Sequence, residues 1–227
     1  MKKFSLVAIL LLSIPMFAQK KAESDLSFGV KGGVSFNHFS GDIPVDLTPQ
    51  LRIGFTAGVF ASYKLSDNFA IQPEILFVRK GSNFDEFDFF EYEGYEINGL
   101  RLDMYIESNW IEIPVLLLYR INDSLELFGG PYIGFYLNGK LVAELITQPW
   151  VSIYAVDLDY DIEADDLSLP DCGIVLGARY NLTEKLAIQG RWEYGIQDLT
   201  DEVANFLDDD VTVNNSSFQL QLDFTIK

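Results

Sequence analysis

Apolar and polar residues alternate at every second position in eight segments of the chain. Alternation with period two predicts β-strands that have one apolar and one polar face. The segments lie at residues 27–37, 52–64, 69–77, 111–120, 125–138, 173–180, 186–197 and 218–226. Each has the roughly ten residues that a tilted strand needs to cross the hydrocarbon of a bilayer.

The connections between these segments alternate between short and long. Three are tight turns of turn-forming residues, at 66–68, 122–124 and 183–185. The others are long, at about 38–51, 82–109, 139–171 and 198–215. Because transmembrane barrels have short periplasmic turns and long extracellular loops, the sequence predicts an all-β, antiparallel transmembrane β-barrel of eight strands in a Gram-negative outer membrane. Ten strands are the alternative, if residues 100–106 or 151–162 form strands of their own.

Three prolines, Pro73, Pro114 and Pro131, fall inside predicted strands. Proline has no N–H to donate to a neighbouring strand, and a closed barrel has no edge strand where this would be harmless. We therefore expect β-bulges or strand ends at these three positions.

Residues 1–19 have the layout of a secretory signal peptide. Lys2 and Lys3 precede a short apolar run at 6–12, and Ala18 is a small residue suited to cleavage. The apolar run is too short for a membrane-spanning helix. We predict cleavage after about residue 19, so that residues 20–227 form one outer-membrane β-barrel domain.

The net charge of the chain limits the kinds of molecule that it can bind. The chain is 48% hydrophobic, yet its formal net charge is −18, so apolar and acidic residues must be segregated. A balance this acidic argues against nucleic-acid binding, which needs a basic surface. The expected surroundings are outer-membrane lipid and lipopolysaccharide. Cys172 is the only cysteine, so the chain cannot form an internal disulfide, and we place this residue on the lipid-facing side near the outer rim.

The polar faces of the predicted strands carry charges of both signs. On the predicted register seven charged residues point into the lumen: Glu74, Glu112, Arg120, Glu126, Arg179, Arg191 and Glu193. The lumen of an eight-stranded barrel is just wide enough for its own side chains. Since an unpaired charge there would be costly, we expect a network of ion pairs that plugs the barrel. The alternative is a gated ion path.

Acidic residues are concentrated in the long connections: Asp85, Glu86, Asp88, Glu91, Glu93, Glu96, Asp157, Asp159, Asp161, Glu163, Asp165, Asp166, Asp201, Glu202, Asp208, Asp209 and Asp210. These loops are either simply solvated by water or bind Ca²⁺ or Mg²⁺, which carboxylates suit and which would bridge them to lipopolysaccharide phosphates. No other cofactor is predicted. The spacing at 157–161 is typical of a calcium loop, but Ile162 and Ser168 stand where that loop needs glycine and an acid. The alternation at 156–162 instead predicts a strand that continues above the membrane.

Catalysis would need a histidine near a nucleophile or an acid. His38 is the only histidine, with Ser40 and Asp42 nearby in the predicted loop 38–51. Because residues so close in one loop rarely hold triad geometry, we predict that the protein is not an enzyme.

Five stretches of the chain resemble the PorT-like outer-membrane β-barrel domain family. They read FGVKGGVSFNHFSGD, GFTAGVFASYKLSDNFAIQPEILFVRKGS, WIEIPVLLLYRI, FGGPYIGFYLNGK and GIVLGARYNLTEKLAIQGRWEYG, and together they span nearly all of the predicted domain. The runs 111–114 and 130–132 are the most specific. The resemblance implies an outer-membrane barrel, usually of unassigned role, with one namesake tied to the assembly of a protein-secretion and gliding apparatus. It implies no catalytic or binding residues.

Taken together, these patterns predict a structural or interaction barrel with a plugged lumen, accessory to secretion or surface assembly, that meets protein partners through its acidic extracellular loops. A porin-like barrel that transports or binds small solutes is the alternative, and an outer-membrane hydrolase is the third class.

Overall fold

The alternating segments form the wall of a closed barrel of eight antiparallel strands. The structure, a computed structural model, describes residues 25–40, 49–88, 91–92, 95–96, 100–147, 157–162, 170–198 and 213–227. The barrel strands are β1 (Leu26–Ser40), β2 (Arg52–Lys64), β3 (Phe69–Asp88), β4 (Leu100–Arg120), β5 (Leu125–Thr147), β6 (Asp171–Asn181), β7 (Leu186–Gly195) and β8 (Asn214–Thr225). The signal peptide predicted at residues 1–19 lies outside the described residues and stays a prediction.

Every strand pairs with its chain neighbours, and the ring closes between β8 and β1. The closing pair runs in register from Gly29 opposite Thr225 to Ser40 opposite Asn214. Eight strands are therefore confirmed and the ten-stranded alternative is wrong. Residues 100–106 belong to β4, while Asp157–Ile162 is a strand that pairs with β5 at 139–144 without entering the ring. That strand was predicted from the alternation at 156–162.

The three tight hairpins share one construction. In each turn a side-chain oxygen accepts the backbone N–H of the residue that begins the next strand: Ser66 Oγ from Phe69, Asn122 Oδ1 from Leu125, and Thr183 Oγ1 from Leu186. The distances are 3.1, 2.9 and 3.0 Å. Such side-chain-to-backbone bonds are the reason that Ser, Asn and Thr favour turns, and they explain why these connections can be so short.

The outer wall of the barrel is an apolar band with aromatic residues at both of its edges. Near the turns the rings of Phe69 and Tyr119 lie 5.1 Å apart, and toward the other rim Phe55 and Phe77 stack at 5.4 Å. Leu117 and Leu222, on the wall between these edges, are about half exposed, as side chains in contact with lipid would be. Among the described residues no helix is long and apolar enough to cross a membrane.

Three neighbouring strands, β3 to β5, continue well beyond this band, so the long loops predicted at 82–109 and 139–171 are wrong in extent. β3 runs to Asp88, β4 begins at Leu100, and their pairing continues through Ser82 opposite Ile106. The pattern hid this continuation because an outer face that no longer meets lipid has no need of apolar residues. The result is a sheet that projects on the side of the long connections.

The prolines do not produce the bulges or strand ends that we expected. The pairing of β3 with β4 stops at Pro73 opposite Val115 and resumes in the same register at Leu76 opposite Glu112. The pairing of β4 with β5 is likewise interrupted opposite Pro131 and keeps its register. The barrel therefore tolerates missing N–H donors as a short gap in the ladder. Register shifts occur elsewhere, between Asn109 and Trp110 and between Phe84 and Phe87.

Candidate functional site

The lumen is filled by charged and amide side chains that alternate with the apolar residues of the outer wall. Of the seven charged residues placed there from the sequence, six are buried: Glu74, Glu112, Glu126, Arg179, Arg191 and Glu193. Arg120 differs, because its side chain lies at the end of β4 near the turns and is 48% exposed. The six are buried because side chains alternate between the two faces of a strand, and these residues occupy positions that face the lumen.

Glu74 is the centre of the network. Its Oε1 atom accepts hydrogen bonds from Lys31 Nζ at 2.6 Å and from Gln72 Nε2 at 2.7 Å. Its Oε2 atom accepts one from Arg191 Nη1 at 2.7 Å. Two cations, Lys31 of β1 and Arg191 of β7, thus converge on one carboxylate of β3, the strand across the ring from β7. An ion pair this deep is favourable only with good geometry and further hydrogen bonds, and Glu74 has both.

Toward the turns the network continues through Arg179. Its guanidinium pairs with Asp223 of β8, and its Nη1 atom lies 3.5 Å from Glu126 Oε2. Lys31 Nζ also reaches Asp223 Oδ2 at 3.4 Å. At the mouth, Arg120 Nε donates to Glu126 Oε1 at 3.3 Å. Charges of opposite sign therefore alternate from the centre of the lumen to its rim.

Toward the other end the network passes from Arg191 to its strand neighbour Glu193. Arg191 Nη2 lies 2.5 Å from Glu193 Oε1, and Gln219 Nε2 donates to Glu193 Oε2 at 2.7 Å. Gln219 also accepts a hydrogen bond from Arg191 Nε at 3.2 Å. The amide thus bonds to both members of the ion pair and fixes their positions.

Lys80 connects two acids near the outer end of the lumen. Its Nζ atom lies 2.5 Å from Glu112 Oε1 and 3.1 Å from Asp171 Oδ2. Asp171 also accepts hydrogen bonds from Asn215 Nδ2 at 2.9 Å and from Tyr132 Oη at 3.3 Å. The Lys80 side chain is 2% exposed, so this cluster closes the lumen on the extracellular side.

Carboxylates outnumber cations inside the barrel. Among the described residues four cations are buried, namely Lys31, Lys80, Arg179 and Arg191. Six acids are buried with them: Glu74, Glu112, Glu126, Asp171, Glu193 and Asp223. Each of these four cations contacts two of the carboxylates. Loss of a cation therefore removes one partner from each of two acids, whereas loss of one acid still leaves each cation a partner.

Sequence reasoning missed four charged members of this network. Lys31 and Asp223 stand on the polar faces of the first and last predicted strands, so the alternation of these strands was enough to place both residues in the lumen. Lys80 was missed for a physical reason. Leu76 and Val78 precede it on the inward face of β3, where both are fully buried, and their apolar character ended the visible alternation. Asp171 fell in a predicted loop but is the first residue of β6.

Below the network the barrel opens into a vestibule between the three turns. This cavity has a volume of about 530 Å³. Its lining includes Lys64, Asp67 and Asp123 near the mouth and Phe60, Glu126 and Arg179 farther in. Since Glu126 and Arg179 belong to the network, the vestibule is a shallow pocket on the turn side of the plug.

The other sequence candidates that the structure describes, His38, Ser40 and Cys172, lie near the extracellular ends of β1 and β6. His38 is a half-buried residue of β1 rather than of a loop, and Asp42 lies outside the described residues. Ser40 Oγ donates to the backbone oxygen of Asn214 at 3.4 Å. Cys172 is half-buried and pairs with Ile133 near the start of β6. Within the described part of the chain no group of three His, Cys, Asp or Glu residues could hold a metal ion, and most of the acidic loop side chains lie outside it.

A closed ring of eight strands, an apolar outer wall with aromatic edges and a polar lumen define a transmembrane β-barrel. A family model described as "Outer membrane protein beta-barrel domain" matches residues 17–201, most of the chain. The chain belongs to this family of outer-membrane proteins, and its location is the Gram-negative outer membrane.

Solved structures of other outer-membrane proteins are similar to the chain. Ail, the attachment invasion locus protein of Yersinia pestis, is 15% identical, with a TM-score of 0.45 over 89% of this chain and 99% of that chain. Neisserial surface protein A is 10% identical, with a TM-score of 0.46 over 87% and 96%. OprG of Pseudomonas aeruginosa is 10% identical, with a TM-score of 0.41 over 88% and 95%. No curated protein matches the chain significantly.

Proposed function

We propose that the protein is a non-conducting barrel that acts as a structural or interaction protein of the outer membrane, through the surface that it presents outside the cell. The observation that carries this proposal is the buried network of the lumen, in which every buried cation of the described residues contacts two carboxylates. A conducting barrel needs a continuous file of water. Here the inward side chains contact one another instead.

The projecting sheet supports the second half of the proposal. β3, β4 and β5 extend past the level at which β6 begins and β7 ends, and the strand Asp157–Ile162 extends the sheet by one more strand. A sheet held by backbone hydrogen bonds is a rigid platform, and rigid platforms favour specific contacts because little entropy is lost on binding. Of the acidic residues noted in the sequence, Asp85, Glu86 and Asp88 belong to β3, and Asp157, Asp159 and Asp161 belong to the added strand.

The finer relationship to PorT-like barrels is part of the same proposal. It rests on the resemblance at 111–114 and 130–132, and it would make the protein an accessory of a secretion or surface-assembly apparatus. We propose no catalytic role, since His38 is half-buried within a strand.

Conductance in planar bilayers tests the plugged lumen. We expect no single-channel steps from the wild-type protein. The control is the double variant Arg191→Ala/Glu193→Ala, which removes a contacting pair from the middle of the lumen and is expected to raise the frequency of brief openings. Regular steps from the wild-type barrel would contradict the proposal and favour the porin-like alternative.

Cross-linking in intact cells, followed by purification in mild detergent, tests the interaction surface. The matched variant shortens the β3–β4 hairpin by joining Ser82 to Ile106 through Asn-Gly, since these two residues are opposite each other in the ladder. We expect a stoichiometric protein partner that is lost from this variant, although the barrel still folds and migrates as a heat-modifiable band. Recovery of the wild-type barrel alone, under conditions that preserve a known outer-membrane complex, would overturn the proposal.

A further inference from the structure

The outer wall changes from apolar to charged within one step along β3 and β4. On β3 the outward residue Phe77 is followed by Arg79, and on β4 the outward residue Ile111 lies beside Asn109 and Glu107. Phe77 belongs to the aromatic edge of the apolar band, so Arg79 lies at its upper boundary. The apolar band of such barrels is about 25 Å tall, which places these side chains at the level of the outer-leaflet headgroups.

Two arginines share one acid at this level. Arg52 Nη2 lies 2.8 Å from Glu107 Oε2, and Arg79 Nη1 lies 3.5 Å from Glu107 Oε1. The three side chains together are positive, in a chain whose formal net charge is −18. A local excess of positive charge on so acidic a protein requires a reason, and a bound anion would supply one.

Each guanidinium is held in place by an aromatic ring and an amide. Arg52 lies over the ring of Tyr105 at 4.0 Å, and its Nη1 atom donates to Asn83 Oδ1 at 2.9 Å. Arg79 lies over Phe55 at 5.1 Å, and its Nε atom donates to Asn109 Oδ1 at 3.1 Å. Arginines that are already ordered lose little entropy when they bind a ligand.

The backbone at Gly81 makes room for the Arg52 side chain. Gly81 has a φ of 152°, a conformation that side chains rarely permit, and a Cβ atom there would overlap the backbone oxygen of Ile106 and lie 3.1 Å from Arg52 Cδ. Arg52 Nε is buried and has no hydrogen-bond partner among the described residues. The Arg52 side chain as a whole is 20% exposed, so part of it is accessible from the lipid boundary.

A third cation lies close to this pair but has acids beside it. Lys140 Nζ lies 5.8 Å from the centre of the Tyr105 ring, and in the ladders Lys140 is opposite Glu107 and Asp161. We therefore assign the binding capacity to Arg52 and Arg79 alone.

We propose that Arg52 and Arg79 bind the phosphate group of an outer-leaflet lipid headgroup. Guanidinium groups match phosphate oxygens with paired N–H donors. The location favours a lipid over a free ion, because Ile53 and Phe55 stand exposed on the wall directly below the cluster and would contact acyl chains.

Native mass spectrometry of the folded protein in mild detergent tests this assignment, with bisphosphorylated lipid A, the same lipid without its phosphates, and inorganic phosphate as three separate probes. We expect retention of the bisphosphorylated lipid only. The double variant Arg52→Gln/Arg79→Gln should bind it at least about tenfold more weakly, since each lost charge-assisted hydrogen bond accounts for that much or more. The control Lys64→Gln/Lys185→Gln removes the same charge at the opposite end of the barrel and should bind normally.

Each other result overturns the assignment. Equal retention of the dephosphorylated lipid would exclude phosphate recognition, and equal binding of inorganic phosphate would exclude a lipid site. An equal loss of lipid binding in the control variant would show that the net charge of the protein, and not this site, accounts for the effect. If the double variant fails to fold, Glu107→Gln serves instead: it removes the shared acid and should tighten lipid binding, and unchanged or weaker binding would contradict the proposal.

Discussion

The barrel carries two charged clusters in different surroundings, one inside its lumen and one on its outer wall. In the lumen, the side chains of Lys31 and Glu74 are both fully buried. On the wall, those of Arg52 and Glu107 are 20% and 15% exposed. Both clusters combine cations, acids and amides at similar distances, so chemistry alone does not distinguish them.

The difference lies in how completely the charges are neutralised. Inside the barrel carboxylates exceed cations and every buried cation of the described residues has two acids, because an uncompensated charge in a dry interior is very unfavourable. On the wall two cations share one acid, since one side of the cluster is open. The lumen cluster therefore holds the barrel together, whereas the wall cluster keeps capacity for a ligand.

The largest effect is expected for Arg191→Ala. The substitution leaves Glu74 and Glu193 buried without this partner, and breaking a buried pair typically costs about 3–5 kcal/mol. Urea unfolding of the protein in phospholipid vesicles would measure the loss of free energy. Lys185→Ala, in an exposed turn, is the control and should change little. An unfolding curve for Arg191→Ala that coincides with the wild type would show that the network does not stabilise the barrel.

A smaller loss is expected for Glu193→Ala. Arg191 keeps its hydrogen bond to Glu74 in this variant, and one acid fewer reduces the excess of carboxylates. We expect about 1–3 kcal/mol, the cost of leaving hydrogen-bonding groups unsatisfied. The comparison with Arg191→Ala in the same unfolding experiment is the test. If removal of the acid costs as much as removal of the cation, the charge balance of the lumen does not set its stability.

The membrane-spanning part of the barrel could be predicted from the sequence, but little of the structure above the membrane could. Eight strands and three turns followed from alternation, because lipid outside and a polar lumen inside impose period two. Above the membrane that rule no longer holds. The residues of the wall cluster that lie beyond the band, Asn83, Tyr105 and Glu107, fell in a region predicted to be loop.

Two local features explain the remaining differences. Leu76 and Val78 face the lumen despite being apolar, so the pattern on β3 ended before Lys80. The β-bulges or strand ends expected at the prolines are not present, because a missing backbone N–H donor does not shift the register of these strands. Pro114 instead lies in a gap of two residue pairs between β3 and β4, and Pro73 in a gap of two pairs between β2 and β3, and both ladders keep their register.

On the outer wall, a substitution should weaken lipid binding without a large loss in the free energy of unfolding. Arg52→Ala removes a partly exposed ion pair, and such pairs contribute about 1 kcal/mol or less. We therefore expect unfolding in urea to change only slightly, although binding of bisphosphorylated lipid A weakens. A destabilisation as large as that of Arg191→Ala would mean that the wall cluster is structural, like the lumen.

The smallest effect is expected in the turn after β2, where water surrounds the charges. Lys64 Nζ donates to Asp67 Oδ1 at 2.9 Å, and this bond holds the pKa of the Asp67 carboxyl below its usual range. A lowered pKa stabilises the fold above the pKa of the unfolded chain, and that contribution is lost as the pH falls through the lower folded pKa. Because the Asp67 side chain is 94% exposed, Lys64→Gln should leave unfolding at neutral pH unchanged. An NMR titration of the Asp67 carboxyl should nevertheless show its pKa rising toward the usual range of an aspartate. If the pKa does not move in this variant, the bond to Lys64 is not the cause of the lowered pKa.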